Sequence, residues 1–319
     1  VPPKSITYVF MQTAPIFVLG AALTDLVGFP QQATLLHDSI PGRVRRSAGG
    51  VGRNLADNLS RLGLPVELVT AFGEDDNGRN LLKACQAANI GVRHSILAEG
   101  YPGARHLAIL NEQNDLLAGI ADMEVLTVIS PAYLEQQMGA LSQARLLCVE
   151  TNLPANTIDW LLDQDWEMPL YLDPVSAPLS QKVTGRLGRF HTVKANLQQA
   201  SVLAGFAIKD SRDLAKVAHQ WLRQGVQRIC ITLGADGAFV ADQQQQYHLT
   251  TVKVNVANTT GAGDAFFAGF IWATQRNWSL DDCCRAGLAA SAIAVRAVDA
   301  INPELSEISL LEWVKKLIS

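Results

Sequence analysis

An excess of either charge is the first thing this chain lacks. Across 319 residues, 26 Lys and Arg stand against 30 Asp and Glu, a formal net charge of −4. Without a basic surplus there is no electrostatic footprint for a nucleic-acid polymer or an anionic membrane. A phosphate-bearing partner has to be captured by a local site. Cysteine is also scarce. Cys85, Cys148, Cys230, Cys283 and Cys284 are odd in number and contain no CxxC pair. That argues against a disulfide framework or zinc cluster and fits a reducing, cytoplasmic setting. The six histidines show no metal-ligand spacing, so no protein-held metal is expected from them. No Ser-His-Asp or HExxH arrangement stands out. No apolar run reaches the roughly 18–20 residues of a membrane span. Ala14 to Leu23 resembles a signal-peptide core, but it runs into Thr24-Asp25 without a cleavage site and reads as a buried first strand. Val1 to Thr13 reads as a leader.

What is present suits a folded domain. Hydrophobic residues make up 48% and charged residues 18% of the chain, enough for a sizeable core. Pro15 to Gly20 is a short apolar run ended by glycine, as a buried parallel strand requires. Leu26 to Ala48 lacks a helical period and carries Gly28, Pro30, Pro41 and Gly42, so short strands and turns are expected. Val51, Leu55, Leu59 and Leu62 recur at helical spacing before Gly63. Val66 to Phe72 reads as a strand, and a helix follows to about Ala88. His106 to Asn111 and Leu116 to Ile120 read as a hairpin. From Leu146 onward strand and helix signals alternate, with Leu214 to Arg223 and Asp281 to Ala297 the clearest helices. Alternation of this kind predicts an α/β fold with a doubly wound, mostly parallel sheet flanked by helices. Residues 14–319 are read as one such domain. A small β lid is expected from about 26–48 and 101–121, closing over ligands at the carboxyl ends of the strands.

The most telling segment is Asn258-Thr259-Thr260-Gly261-Ala262-Gly263-Asp264, which leads into an apolar, helix-forming run. Its glycines allow close approach by a ligand, and the free N–H groups of a helix start can hold an anion. Asp264 beside such an anion suits removal of a proton from an attacking hydroxyl. A glycine turn capped by a surface acid is the bland alternative. Gly49-Gly50-Val51-Gly52-Arg53-Asn54 opens another helix. There Asn54 suits a polyol hydroxyl, and Arg53 either meets a phosphate or is solvated. Asp25 follows the first strand and suits two sugar hydroxyls, or merely forms a turn. Thr232 to Gly237 is a glycine turn between strands that passes nucleotide phosphates or only closes a hairpin. Asp173-Pro174-Val175-Ser176 and Lys194-Ala195-Asn196 follow strands at the same sheet edge. His106 is a candidate lid contact.

Taken together, these motifs resemble the ribokinase-like (PfkB) carbohydrate and nucleoside kinases, over nearly the whole chain from about Phe17. The signatures are the segment from Gly49 to Asn54, the segment from Thr259 to Asp264, a GxDxxG loop at Gly73, Asp75 and Gly78, and a TxGxxG loop at Thr232, Gly234 and Gly237. The resemblance implies ATP-dependent phosphorylation of a sugar hydroxymethyl group. It makes Asp264 the catalytic base and the N–H groups of Gly261, Ala262 and Gly263 the anion hole. Asp25, Gly49, Gly50 and Asn54 would hold the sugar. Asn196, Thr232, Gly234, Gly237, Asn258, Thr260 and Asn302 would line ATP. Within the family, the run from Ser47 to Asn54, the run from His191 to Asn196, and Asn258 resemble the subgroup acting on pseudouridine. Another nucleoside, a ribose- or fructose-type sugar, or a catalytically weak binding protein on the same fold are the alternatives. Three departures from the family pattern stand out. Leu23 replaces a frequent Asn. Gln199 replaces the Glu of N-x-x-E and is expected to reach Mg²⁺ only through water. Gly103 to His106 and Ala121 are unlike the polar lid residues of that subgroup. Asn258 also stands where most members carry Asp, which speaks against a monovalent-cation site. The lid strands offer a contact for a homodimer, which no sequence feature decides.

Overall fold

The computed structural model describes residues 14–33, 38–113 and 115–318; the expected leader 1–13 lies outside them. In chain order the strands are β1 (Ile16–Leu19), β2 (Leu23–Pro30), β3 (Gly42–Gly49), β4 (Val66–Val69), β5 (Ala71–Gly73), β6 (Ile96–Ala98), β7 (Arg105–Leu110), β8 (Leu116–Asp122), β9 (Leu146–Glu150), β10 (Leu170–Asp173), β11 (Thr192–Asn196), β12 (Arg228–Thr232), β13 (Ala238–Asp242) and β14 (Gln246–Leu249). The helices are α1 (Val51–Arg61), α2 (Asp76–Ala87), α3 (Pro131–Gln136), α4 (Met138–Leu141), α5 (Ala155–Asp163), α6 (Ala177–Ser180), α7 (Leu197–Ala204), α8 (Ser211–Gln224), α9 (Ala262–Thr274), α10 (Leu280–Ala294) and α11 (Glu307–Ile318).

The main sheet has the order β14-β13-β12-β11-β10-β9-β1-β4. From β12 to β4 all neighbours are parallel, and β13 and β14 add an antiparallel edge. A parallel sheet has both faces covered, so its strands are apolar throughout. In β1, Ile16 and Val18 enter one core with α1, α9 and α10, whereas Phe17 and Leu19 enter the opposite core with α5 and α8. All four side chains are buried. On the first face α9 and α10 pack closely, because a Cβ on Gly287 would come 2.8 Å from the Phe266 ring.

The second sheet has the order β3-β2-β7-β8. It contains the expected excursion and the expected hairpin. It starts earlier than the sequence suggested, because Leu23, Thr24 and Asp25 already pair with Gly49, Ala48 and Ser47. Asp25 therefore lies within a strand and not in a turn beyond β1. The expected strand from Val66 to Phe72 breaks at Thr70. β4 joins the main sheet, and β5 pairs with β6 in a separate two-stranded ladder.

The GxDxxG loop is the joint between the two sheets. A Cβ on Gly73 would collide with the Gly103 N, and one on Gly78 with the Gly73 carbonyl. The Asp75 carboxylate accepts from the Gly78 and Gly103 N–H groups, each at 2.9 Å, and from Arg105 at 2.8 Å. It thereby caps α2 and anchors the start of β7. Burial alone would raise its pKa, but these donors outweigh burial and hold it below the ordinary 3.8. Asp75→Ala is expected to cost about 1–2 kcal/mol at neutral pH, through loss of the cap and its buried partners. Because the folded pKa is depressed, the wild-type advantage is present above pH 3.8 and fades as pH falls below it. Urea midpoints at pH 7 and pH 3 measure it, and an unchanged midpoint at pH 7 would remove Asp75 as the joint.

Candidate active site

The parallel strands end along one edge, and the predicted polar residues gather there. Asn196 and Thr232 are direct partners at the ends of β11 and β12. Helix α9 starts over this edge. Its N-cap, Gly261, has φ 81°, and a Cβ there would strike the Ala300 carbonyl, so only glycine fits. The N–H groups of Gly261 and Gly263 have no protein acceptor among the described residues, while that of Ala262 closes a turn onto Thr259 at 3.2 Å. Unpaired donors at a helix start form an anion cradle.

Asp264 occupies the first turn of α9 and is buried. Its Oδ2 accepts from Asn54 Nδ2 at 2.9 Å, so two motifs 210 residues apart meet at one carboxylate. Burial pushes the Asp264 carboxyl up to about 6; Lys194 opposes this, and Asp173 adds to it. Lys194 is the cation of this cluster. It donates to Asp173 at 2.8 Å, and its Nζ is 2.8 Å from where a Gly263 Cβ would stand. Burial works against its charge, yet Asp173 and Asp264 hold its pKa above the ordinary 10.5.

Helix α1 approaches from the other side. Gly50, its N-cap with φ 97°, leaves no room for a Cβ against the Ala21 carbonyl. A Cβ on Gly49 would strike the Asp25 carboxylate, so this glycine makes space for the acid. Asp25 pairs with His106 Nδ1 at 3.1 Å. The hydrogen bond to Asp25 raises the His106 pKa above 6.5, against a smaller opposing effect of burial. In an NMR titration the His106 midpoint should therefore lie above 6.5 and drop in Asp25→Asn. With the folded pKa raised, the stabilisation is complete below pH 6.5 and is lost as pH rises through the His106 midpoint. An unchanged midpoint in the variant would dissolve the pair.

On the other flank, Gly234 and Gly237 both have positive φ, 63° and 92°. Asn196 caps α7 and forms a reciprocal box with Gln199. The Gln199 Oε1 accepts from the Asn196 N–H at 2.8 Å, and the side chain is buried. Asn258 Oδ1 accepts from the Thr260 N–H, and its Nδ2 donates to the Val298 carbonyl at 2.8 Å. An aspartate could not make that donation. Asn302 is buried, with its amide spent on the Ile293 carbonyl and the Glu304 N–H. It fastens the 298–302 loop that Gly261 touches. The helix expected to run to Ala297 ends at Ala294, because the Val295 carbonyl turns out to accept from Ala257 and Asn258.

Arg53 is neither solvated nor free for a phosphate. It is buried and holds Asp57 at 2.8 Å and the Ala48 carbonyl at 3.1 Å. Asp173 and Lys194, which the sequence places just after strands, lie within them: Asp173 is the last residue of β10 and Lys194 the middle residue of β11. Glu150, which ends the apolar strand β9, was not weighed in the sequence. Glu150 is buried and accepts from the Ala21 N–H and, at 2.8 Å each, from the N–H and Nδ2 of Asn152. Burial pushes it up to about 8. It fastens the Gly20–Ala22 turn against which α1 starts. Among the described residues no three His, Cys, Asp or Glu side chains converge to hold a metal ion.

An anion cradle, a buried carboxylate with a raised pKa and two glycine loops at one sheet edge can position a phosphoryl donor and activate a hydroxyl. Residues 13–307 match the pfkB family carbohydrate kinase description, and the chain belongs to that family. It is a kinase, a phosphotransferase with an alcohol acceptor, on the ribokinase-like α/β fold. The chain is 31% identical to the pseudouridine kinase of Escherichia coli K12, covering 94% of this chain and 96% of that protein. Of the solved structures, a carbohydrate kinase from Agrobacterium tumefaciens superposes with a TM-score of 0.81 at 27% identity, covering 95% of this chain and 97% of the other. Arabidopsis thaliana ribokinase complexed with ribose and ATP gives 0.82 at 20% identity, covering 95% and 99%, a likeness of fold. Members of the family use ATP with a divalent metal.

Proposed function

We propose that this chain transfers the γ-phosphoryl group of ATP to the 5′-hydroxyl of pseudouridine, giving pseudouridine 5′-phosphate and ADP. The observation that carries the catalytic reading is the Asn54–Asp264 hydrogen bond at the start of α9. It brings the polyol-binding candidate and the candidate base to one point beside free helix N–H groups. Asp264 accepts the proton of the 5′-hydroxyl as the O5′–P bond forms and the bond from phosphorus to the ADP oxygen breaks. The N–H groups of Gly261, Ala262 and Gly263 stabilise charge on the transferring phosphoryl. Ala262 must exchange its turn contact with Thr259 for that task. Asp25, Gly49, Gly50 and Asn54 line the sugar, and His106 keeps Asp25 oriented. Asn196, Thr232, Gly234, Gly237, Asn258 and Thr260 border the nucleotide, with Asn302 holding the neighbouring loop. A divalent ion would enter with ATP and would supply charge neutralisation at the phosphates; among the described residues no three His, Cys, Asp or Glu side chains converge to hold it directly.

Pseudouridine as substrate is supported by the likeness to the E. coli enzyme. A binding-only reading gains nothing from Gln199, whose carbonyl makes a cap contact that needs no negative charge. Residues 14–319 act as one catalytic domain with the four-stranded sheet as its lid. The exposed Val44, Leu116 and Ile120 on that sheet support pairing of two copies through it. Five buried, unpaired cysteines fit the cytoplasm. The test is a panel of pseudouridine, uridine, inosine, ribose and fructose with ATP and Mg²⁺. Pseudouridine should lead in kcat/KM by about tenfold or more, since the site must reject molecules lacking its polar groups. A higher value for any other acceptor overturns the substrate.

A further inference from the structure

We propose that a groove at the far end of α9 binds a phosphorylated small molecule at a second site. The groove has a volume of about 710 Å³, and Arg145, His191, Arg228, Arg276, Tyr171 and Trp278 contribute to its walls. It lies where the strands begin: Arg145 immediately precedes β9, His191 precedes β11, and Arg228 opens β12. Helix α9 is 13 residues long. At about 1.5 Å per residue it separates this groove from the Gly261–Asp264 cradle by roughly 20 Å. The inference does not depend on the catalytic reading.

The unusual feature is cationic convergence without matching acids. Among the described residues only Arg276 has a carboxylate partner here, Glu307 at 3.2 Å. Arg145 and Arg228 each make one hydrogen bond to a neutral group, the Gln275 carbonyl at 3.5 Å and Thr274 Oγ1 at 3.2 Å. A guanidinium has five N–H donors, so most of theirs remain available. Residues Val1 to Thr13 contain no Asp or Glu, so that segment brings no carboxylate to them. The charges disfavour one another. Burial, then Arg276, holds Arg145 below the ordinary 12.5, and burial, then Arg228, holds His191 below 6.5. The carbonyls at the end of α9 offset part of this cost, but a dianionic group would offset far more. Planar guanidinium forks fit phosphate oxygens in pairs. The groove is also larger than a phosphate requires, with the Trp278 ring and the His191 ring, stacked on Tyr171, for an attached organic part.

The probe is inorganic pyrophosphate. Phenylglyoxal labelling of the wild-type chain, read by peptide mass spectrometry, reports each arginine separately, so occupation of the catalytic cradle cannot be mistaken for groove binding. Pyrophosphate should slow labelling of Arg145 and Arg228 by at least about fivefold, as charge-assisted pairing demands, and leave exposed Arg223 unchanged. In calorimetry, Arg145→Gln combined with Arg228→Gln should weaken the corresponding binding by about tenfold or more. Equal labelling of Arg145 and Arg228 with pyrophosphate and with sodium chloride of the same ionic strength would overturn the site. So would slowing that extends equally to Arg223. If the double variant fails to fold, the wild-type labelling still decides.

Discussion

Asp264→Asn lowers kcat by about two to four powers of ten, the range for loss of a general base, with the KM for ATP largely unchanged. Asparagine keeps the shape, and its carbonyl can still accept from Asn54, so the 2.9 Å contact between the motifs survives. What disappears is the only carboxylate in the first turn of α9. Stability separates this effect from misfolding. With a folded pKa of about 6 against an ordinary 3.8, the native state binds more protons than the unfolded chain between those values. Ionising Asp264 therefore costs stability as pH rises through that window, and the full cost stands above it. Asparagine removes that cost, so the variant should melt at or above the wild-type temperature at pH 8. The same pKa sets the acid limb of the wild-type profile, with kcat/KM falling below about pH 6. A folded variant with near-normal turnover in an ADP-release assay would sink the assignment of Asp264 as base.

The parts legible in the sequence were those written in local chemistry. Gly261, Gly50 and Gly237 are required by backbone conformation and by the carbonyl each faces, and a glycine run betrays that need. The apolar run of β1 announces burial on two faces because the strand itself has to satisfy both cores. Illegible features have two origins, local pairings left unweighed and partners far along the chain. Arg53 belongs to the first, because the i,i+4 spacing with Asp57 and the nearby Ala48 carbonyl bury it. Asp25, a candidate for sugar hydroxyls or a turn, was placed just beyond the first strand because its own strand is fixed by pairing with Ser47 and His106, on two separate later segments. Gln199 looked like a loss of metal chemistry, because the N-x-x-E comparison weighs charge. The structure gives its carbonyl a capping contact in which amide and carboxylate are equivalent acceptors.

Lys194 showed in the sequence only as part of a polar strand end, yet replacing it by Met should have the largest effect on stability. The side chain lies in β11 and is buried with Asp173 and Asp264 around it. Methionine matches its stem but leaves two carboxylates without their cation. Breaking a buried pair by removing one partner typically costs about 3–5 kcal/mol. The cost should depend on pH in a known direction. Lys194 holds the Asp264 pKa down, so without it that pKa rises above its present value of about 6. The native variant then retains a proton to higher pH than the wild type does. Its stability deficit is therefore largest in alkaline solution and narrows as pH falls and the carboxyl is neutralised. The acid limb of kcat/KM moves the same way, to higher pH, because the base must lose its proton before it can act. Urea midpoints at pH 5 and pH 8, with pH–rate profiles on the folded fraction, test both consequences. If Lys194 only fills space, the deficit will be equal at the two pH values and the acid limb will stay in place. A deficit that grows toward alkaline pH together with a displaced acid limb identifies Lys194 as the charge that keeps Asp264 ionised at neutral pH.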